Sequence, residues 1–204
     1  MVDLGGNRGE FARQTQHRWS VRCLSVEANP SLCQNWSAGN QVINAAVSAT
    51  SGFVEFYVCE NSESSSLFDR GSAQARVQVP AMTLEQVVDK TGAAEISLVK
   101  IDIEGAEIES LLTANEDALR RIQQITVEFH DFALPEISPD DIARVKQRLH
   151  ALGFWSVSFS RRNTDVLFIN RNAGLVTWLE MMWIRYVVRN LRGAMRVGRR
   201  FIGQ

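Results

Sequence analysis

With 204 residues, 45% of them hydrophobic and 22% charged, the chain suits one domain with a real core plus an appendage, and is too short for two typical domains. A formal net charge of −1 gives no whole-protein field for a polyanion, so no nucleic-acid partner is expected. The balance is uneven: residues 172–204 hold six Arg and one Glu, which sets a basic segment apart from an acidic domain over 1–171.

In chain order, short apolar runs that read as strands alternate with stretches of helical spacing. The first run, 1–4, passes through Gly5, Gly6, Asn7 and Gly9 into a helix over 9–16. A strand over 23–26 ends at Glu27, and "NPSL" places Pro30 in the first turn of a helix over 30–36. A third strand spans 42–47. Region 53–80 breaks the alternation and reads as extra antiparallel strands, with 61–66 as a mobile loop. Next come a helix over 84–90, a strand over 98–103, a helix over 106–119, a strand over 125–129 and a helix over 138–152 that Ser138 caps. "FWSVSFSRRNTDVLFINR" closes the series as two strands around a turn at Arg162 and Asn163. The fold class is therefore α/β: a Rossmann-like, mostly parallel sheet with helices on both faces and an antiparallel last strand.

Three places carry chemistry. In "VDLGGNRGEF", Asp3, Gly5, Asn7 and Gly9 fall where strand gives way to helix, so the backbone can approach a ligand closely. The dinucleotide fingerprint G-x-G-x-x-G would need Gly where Leu4 stands, and an acid at position 3 suits a cationic ligand better than a pyrophosphate. Glu27, 24 residues after Asp3, ends the second strand, where an acid can accept both ribose hydroxyls. In "LVKIDIEGAE", Asp102 and Glu104 share a face at the tip of a central strand; Glu107 suits the helix dipole. On the next strand, "VEFHD" puts Glu128 and His130 at the same sheet edge, and His130 is the candidate general base. Oxygen ligands of this kind suit Mg²⁺, yet no ligand set is complete, and no metal is expected.

Together, "VDLGGNRGEF", "VEANP", "NAAVS", "LVKIDIEGAE" and "VEFHD" resemble the FkbM family of S-adenosylmethionine-dependent methyltransferases over roughly residues 1–170. The resemblance implies a seven-stranded methyltransferase sheet. It places Asp3, Gly5, Asn7 and Gly9 at the methionine end of the cofactor, Glu27 at the ribose and Asn44 toward the adenine. Asp102, Glu104 and His130 then face the transferred methyl group, with Asp102 also bordering the cofactor. His130 is the expected base, and Asp102 orients it or takes that role. The implied acceptor is a hydroxyl oxygen of a sugar, glycolipid or polyketide-like molecule. Two departures stand out. Gly6 replaces the family's usual Ala, which predicts a looser loop. Only Met1 and Val2 precede Asp3, which predicts a truncated start, unpaired neighbours for the first strand, a partly open pocket and weakened cofactor binding.

An NAD(P)-binding oxidoreductase shares strand, Gly loop and acid and is the rival enzyme; a non-catalytic adaptor at a membrane is the rival without chemistry. Cys23, Cys33 and Cys59 have no metal spacing, and without a secretory leader they read as reduced thiols in a cytoplasmic protein. Arg185, Arg189, Arg192, Arg196 and Arg199 step by four and three beside Trp178, Leu179 and Trp183. This predicts a basic amphipathic helix within 172–204, whose residues 175–204 could contact the inner face of a membrane peripherally.

Overall fold

The computed structural model describes residues 1–34, 36, 41–59, 65–68, 74–130, 138–160 and 164–188. The chain runs β1 (Val2–Leu4), α1 (Glu10–Trp19), β2 (Leu24–Glu27), α2 (Pro30–Cys33), β3 (Gln41–Asn44), β4 (Ala46–Val47), β5 (Gly52–Val58) and β6 (Ala75–Met82). It continues with α3 (Leu84–Lys90), β7 (Val99–Ile101), α4 (Glu107–Thr113), α5 (Glu116–Arg120), β8 (Gln124–Glu128), α6 (Pro139–Ala151), β9 (Phe154–Ser158), β10 (Asp165–Asn170) and α7 (Trp178–Trp183).

Seven strands form one sheet in the order β3-β2-β1-β7-β8-β10-β9. All described pairs are parallel except those of β10, which runs antiparallel to both β8 and β9. This matches the mostly parallel sheet with one antiparallel strand read from the sequence. The turn expected at Arg162 and Asn163 lies outside the described residues.

Four expectations need correction. The run over 42–47 is two strands, because the chain leaves the main sheet at Ala45, whose N–H donates to Glu27 O at 3.0 Å. The 53–80 strands then build a separate sheet, β4-β6-β5, with β5 and β6 antiparallel from Gly52↔Ala81 to Val58↔Ala75. The helix over 106–119 breaks in two, because Asn115 takes an extended conformation and caps α5 by accepting from Asp117 N at 2.7 Å. The first strand is also fully paired: Val2, Asp3 and Leu4 are in register with both β2 and β7. Those neighbours begin level with it, and Met1 closes the row by donating its ammonium to Arg22 O at 2.9 Å.

Successive strand residues point to opposite faces, and this sorts the site from the core. Val2, Leu4, Val99 and Ile101 join one apolar cluster with Leu84 and Val88 of α3, Leu111 of α4, Leu119 of α5 and Val145 and Leu149 of α6. Asp3 and Lys100, one step out of phase, face the other side. They are cross-strand partners in a row that reads Ser25, Asp3, Lys100, Thr126 across β2, β1, β7 and β8. At the far edge the same alternation sends Val166 and Phe168 to the main core, and Ile169 with Val157 to a cluster closed by Met181 of α7. Among the described residues, no helix is long and apolar enough to cross a membrane.

Candidate active site

The turn after β1 is held by its own backbone. Gly5 N and Gly6 N both donate to Val26 O, at 3.0 and 3.1 Å, and Gly9 N donates to Gly6 O at 2.8 Å. Gly5, Asn7 and Gly9 have φ of 78°, 48° and 74°, the left-handed region that favours glycine. At Gly5 no other residue fits: a Cβ would sit 1.7 Å from the Asp102 carbonyl oxygen. At Gly6 the Trp36 ring occupies the space, 2.9 Å from where a Cβ would be, so the Ala usual in the family would press on that ring.

Glu27 ends β2 and ties this turn to the next. Its Oε2 accepts from Asn7 N and its Oε1 from Asn29 N, both at 2.7 Å. Burial raises its pKa, while those backbone donors oppose the rise. Asn44, expected near the adenine, spends its amide on the carbonyls of Glu27 and Ala28 at 2.9 and 3.1 Å. It shapes the wall that its neighbours Ala45, Ala46 and Val47 line.

A groove runs along the carboxyl ends of β1, β2 and β7 in two halves that meet at Gly5, Asn7 and Asp102. One half is mainly apolar, with Val26, Ala28, Phe56 and Leu67 on its walls and Glu27, Asp102 and Glu104 as its acids. The other holds Asp3, Phe11, Gln14 and Lys100. Asp3 is fully buried, and neither of its carboxylate oxygens has a hydrogen-bond partner. Burial pushes its pKa up to about 6, with Lys100 pulling the other way. Lys100 Nζ stands 3.4 Å from Asp3 Oδ1 and 3.0 Å from Asp102 Oδ2. Burial lowers the Lys100 pKa, but the two carboxylates outweigh it and the net shift is upward.

Past β7 the chain turns sharply through Glu104 and Gly105, at φ of 55° and 117°. Glu107, fully buried at the start of α4, organises this turn. It accepts from Ile103 N at 3.1 Å and from Gly105 N at 3.0 Å, and its Oε1 lies 2.8 Å from His130 Nδ1. The imidazole is thereby fixed with Nε2 aimed at Glu104 Oε1, 3.5 Å away, and Asp102 Oδ1, 3.7 Å away. Burial lowers the His130 pKa, but the hydrogen bond and charge of Glu107, then Glu104 and Asp102, raise it to about 9. One ligand atom each from Asp102, Glu104 and His130 lie within 4.8 Å of one another, a donor set that a hard divalent cation would accept with waters added.

A family profile described as the methyltransferase FkbM domain matches residues 3–155. The chain belongs to the FkbM methyltransferase family. The FkbM match runs from Asp3 in β1 to Trp155 in β9, and β10 and α7 follow it. Among curated proteins, the AMB antimetabolite synthetase AmbE of Pseudomonas aeruginosa is 42% identical over 48 residues, which is 24% of this chain and 2% of AmbE.

Within the FkbM domain, the structure brings Asp3, Gly5, Asn7, Glu27, Asp102 and Glu104 to one groove, and His130, which lines neither half, is buried behind Asp102 and Glu104. Gly9 stands behind the loop, at the αL N-cap of α1. Glu128, at the same edge, is more exposed, and its pKa is raised by partial burial and by Asp102. Lys100 and Trp36 went unread in the sequence, and Glu107 was read for a lesser role. Lys100 carried a signal, a lysine inside an apolar strand. Glu107 acts as the anchor of His130 and of the turn rather than as a dipole complement alone, a role that only the position of His130 makes visible. Trp36 reaches the Gly turn from beyond α2, and sequence spacing gives no hint of that contact.

Proposed function

We propose that this methyltransferase takes its methyl group from S-adenosylmethionine and delivers it to a hydroxyl oxygen of a small sugar, glycolipid or polyketide-like molecule. The observation that carries the reading is Asp3: a buried carboxylate whose nearest cation, Lys100, stands 3.4 Å away and is shared with Asp102, so lone pairs are left for the ammonium of an amino-acid moiety. The apolar half with Glu27 at its rim suits an adenosine, whose ribose hydroxyls can donate to the remaining lone pairs of Glu27. The resemblance to part of an antimetabolite synthetase is in keeping with a small-molecule acceptor. An NAD(P) reading is disfavoured by the accounting of donors: Gly5, Gly6, Asn7 and Gly9 spend their N–H groups within the protein, leaving none of the four for a pyrophosphate.

When bound, S-adenosylmethionine supplies an electrophilic methyl group on a sulfonium. The chain's own residues do the rest. Asp3 holds a cation at one end of the groove and Glu27 takes hydroxyls at the other, which fixes the reacting centre near Asp102; alignment of this kind can lower a barrier by up to ~7–11 kcal/mol. His130 Nε2 receives the proton of the acceptor hydroxyl, with Glu107 steadying the imidazolium through Nδ1. A base so placed contributes roughly 10²–10⁴-fold in rate. Asp102 and Glu104 flank Nε2 and give the site a negative field that suits a sulfonium.

Calorimetric titration of the chain with S-adenosylhomocysteine, with NADH in parallel, tests the assignment. Micromolar binding of the former alone is expected, lost on Glu27→Ala. Binding of NADH instead would overturn it.

A further inference from the structure

α7 presents apolar side chains in two directions. Inward, Met181 is buried against Val157 and Ile169, with Met182 and Ile184 packed beside it, so the helix is seated on β9 and β10. Outward, where a helix on a protein surface ordinarily carries polar residues, stand Trp178, Leu179 and Trp183, 62%, 71% and 58% exposed. Leu175 before the helix and Val187 after it are exposed as well, at 44% and 37%. The helix begins on a capping box, with Thr177 and Glu180 bonded to each other, so its direction is fixed from the first turn. Large apolar patches of this kind mark contact with another phase or partner.

Charge selects between those occupants. Arg185 is exposed on the same segment, in the π-helical turn Ile184–Val188. The sequence then adds Arg189, Arg192, Arg196, Arg199 and Arg200 without a further acid. The acid of α7, Glu180, is engaged with Thr177 N and Oγ1 at 2.7 and 2.9 Å. Tryptophan and leucine toward the apolar phase, beside arginines with no acid among them, is the composition of a segment that lies in the headgroup layer of an anionic bilayer.

We infer that the segment 175–188 docks the protein peripherally on an anionic lipid surface, with Trp178, Leu179 and Trp183 inserted among the headgroups. The docking is independent of the methyl-transfer reading, since Trp178, Leu179 and Trp183 belong to the helix seated on β9 and β10, at the opposite sheet edge from β3, and line neither half of the groove. The test is co-sedimentation of the full chain with vesicles of phosphatidylcholine and phosphatidylglycerol, against vesicles of phosphatidylcholine alone. Selective sedimentation with the mixed vesicles is expected, weakened by high salt, and cut roughly tenfold or more by the double change Trp178→Gln and Trp183→Gln. Unchanged circular dichroism and melting of that variant separate lost docking from lost folding, and Leu179→Gln gives a second, milder probe. Failure to sediment with the mixed vesicles overturns the inference. So does equal sedimentation with both compositions. A dimer in light scattering that the Trp changes dissolve would instead assign the patch to a second copy of the chain.

Discussion

Replacing Asp3 by Asn should separate stability from binding. The rise of the Asp3 pKa from 3.8 to about 6 corresponds to about 3 kcal/mol set against its ionisation in the folded protein. Asn keeps the shape and removes the charge, and Lys100 is not orphaned because Asp102 stays 3.0 Å from its Nζ. The attraction of Lys100 is already inside that net shift; with the cost of burying an unpaired Asn amide discounted, a net stabilisation of about 1–2 kcal/mol is expected, or roughly 2–8 °C in Tm for a chain of this length. The sign also fixes the pH dependence. A raised acid pKa means stability that is present below 3.8 and lost as pH rises through about 6. The variant should therefore melt higher than the parent at neutral pH and level with it near pH 4. Cofactor binding should move the other way. Removing one member of a buried charge pair costs about 2–5 kcal/mol, so the Kd for S-adenosylhomocysteine should rise about 30-fold or more. Thermal denaturation across pH, with calorimetry on the same samples, reads both. A lower Tm at neutral pH would make the carboxylate structural, and an unchanged Kd would remove the ammonium from this end of the groove.

The remaining expectations concern the turn after β7 and the Gly loop. With the His130 pKa raised to about 9, the proton-accepting imidazole gains as pH rises, so kcat/KM should climb toward about pH 9. A profile flat from pH 6.5 upward would exclude His130 as the base. The same shift means that protonated His130 contributes stability present below its ordinary 6.5 and lost as pH rises through about 9, to be followed by melting across that window. Glu107→Gln removes the largest of the influences that raise His130, so the rate limb should move to lower pH; an unmoved limb would disconnect Glu107 from the proton transfer. Gly5→Ala forces a methyl to 1.7 Å from the Asp102 carbonyl and a strained φ, a destabilisation of at least about 1–3 kcal/mol, with cofactor affinity falling alongside Tm. Finally, methyl transfer should survive dialysis against EDTA; a loss that Mg²⁺ restores would reassign Asp102, Glu104 and His130 as ligands.

Much of this architecture is legible before any coordinates, because its signals are local. Buried parallel strands such as 98–103 read as apolar runs, and Asp102, Glu104 and His130 advertise themselves as polar groups at strand tips. The places where reading failed share a different cause. The break of the fourth long helix depends on one capping amide at Asn115, which competes weakly in propensity and wins by satisfying a backbone donor. The second sheet depends on Ala45 leaving one ladder for another, a choice made by tertiary pairing. Lys100 and Glu107 act across distance: one through a cross-strand partner on β1, the other through an imidazole 23 residues away. Alternation within a strand is visible in sequence; which strand lies beside it is not.

The polar row Ser25, Asp3, Lys100, Thr126 bears on folding as well as on binding. β1 has three residues between two parallel neighbours, so little backbone pairing distinguishes its native alignment from one shifted by a residue. A shift would turn Asp3 into the aliphatic layer beneath α3 and leave Lys100 facing Val2 or Leu4, a conflict that the chain resolves only by returning to register. The charges proposed to meet a ligand in the finished protein thus also act earlier, as the mark by which the central strand finds its place.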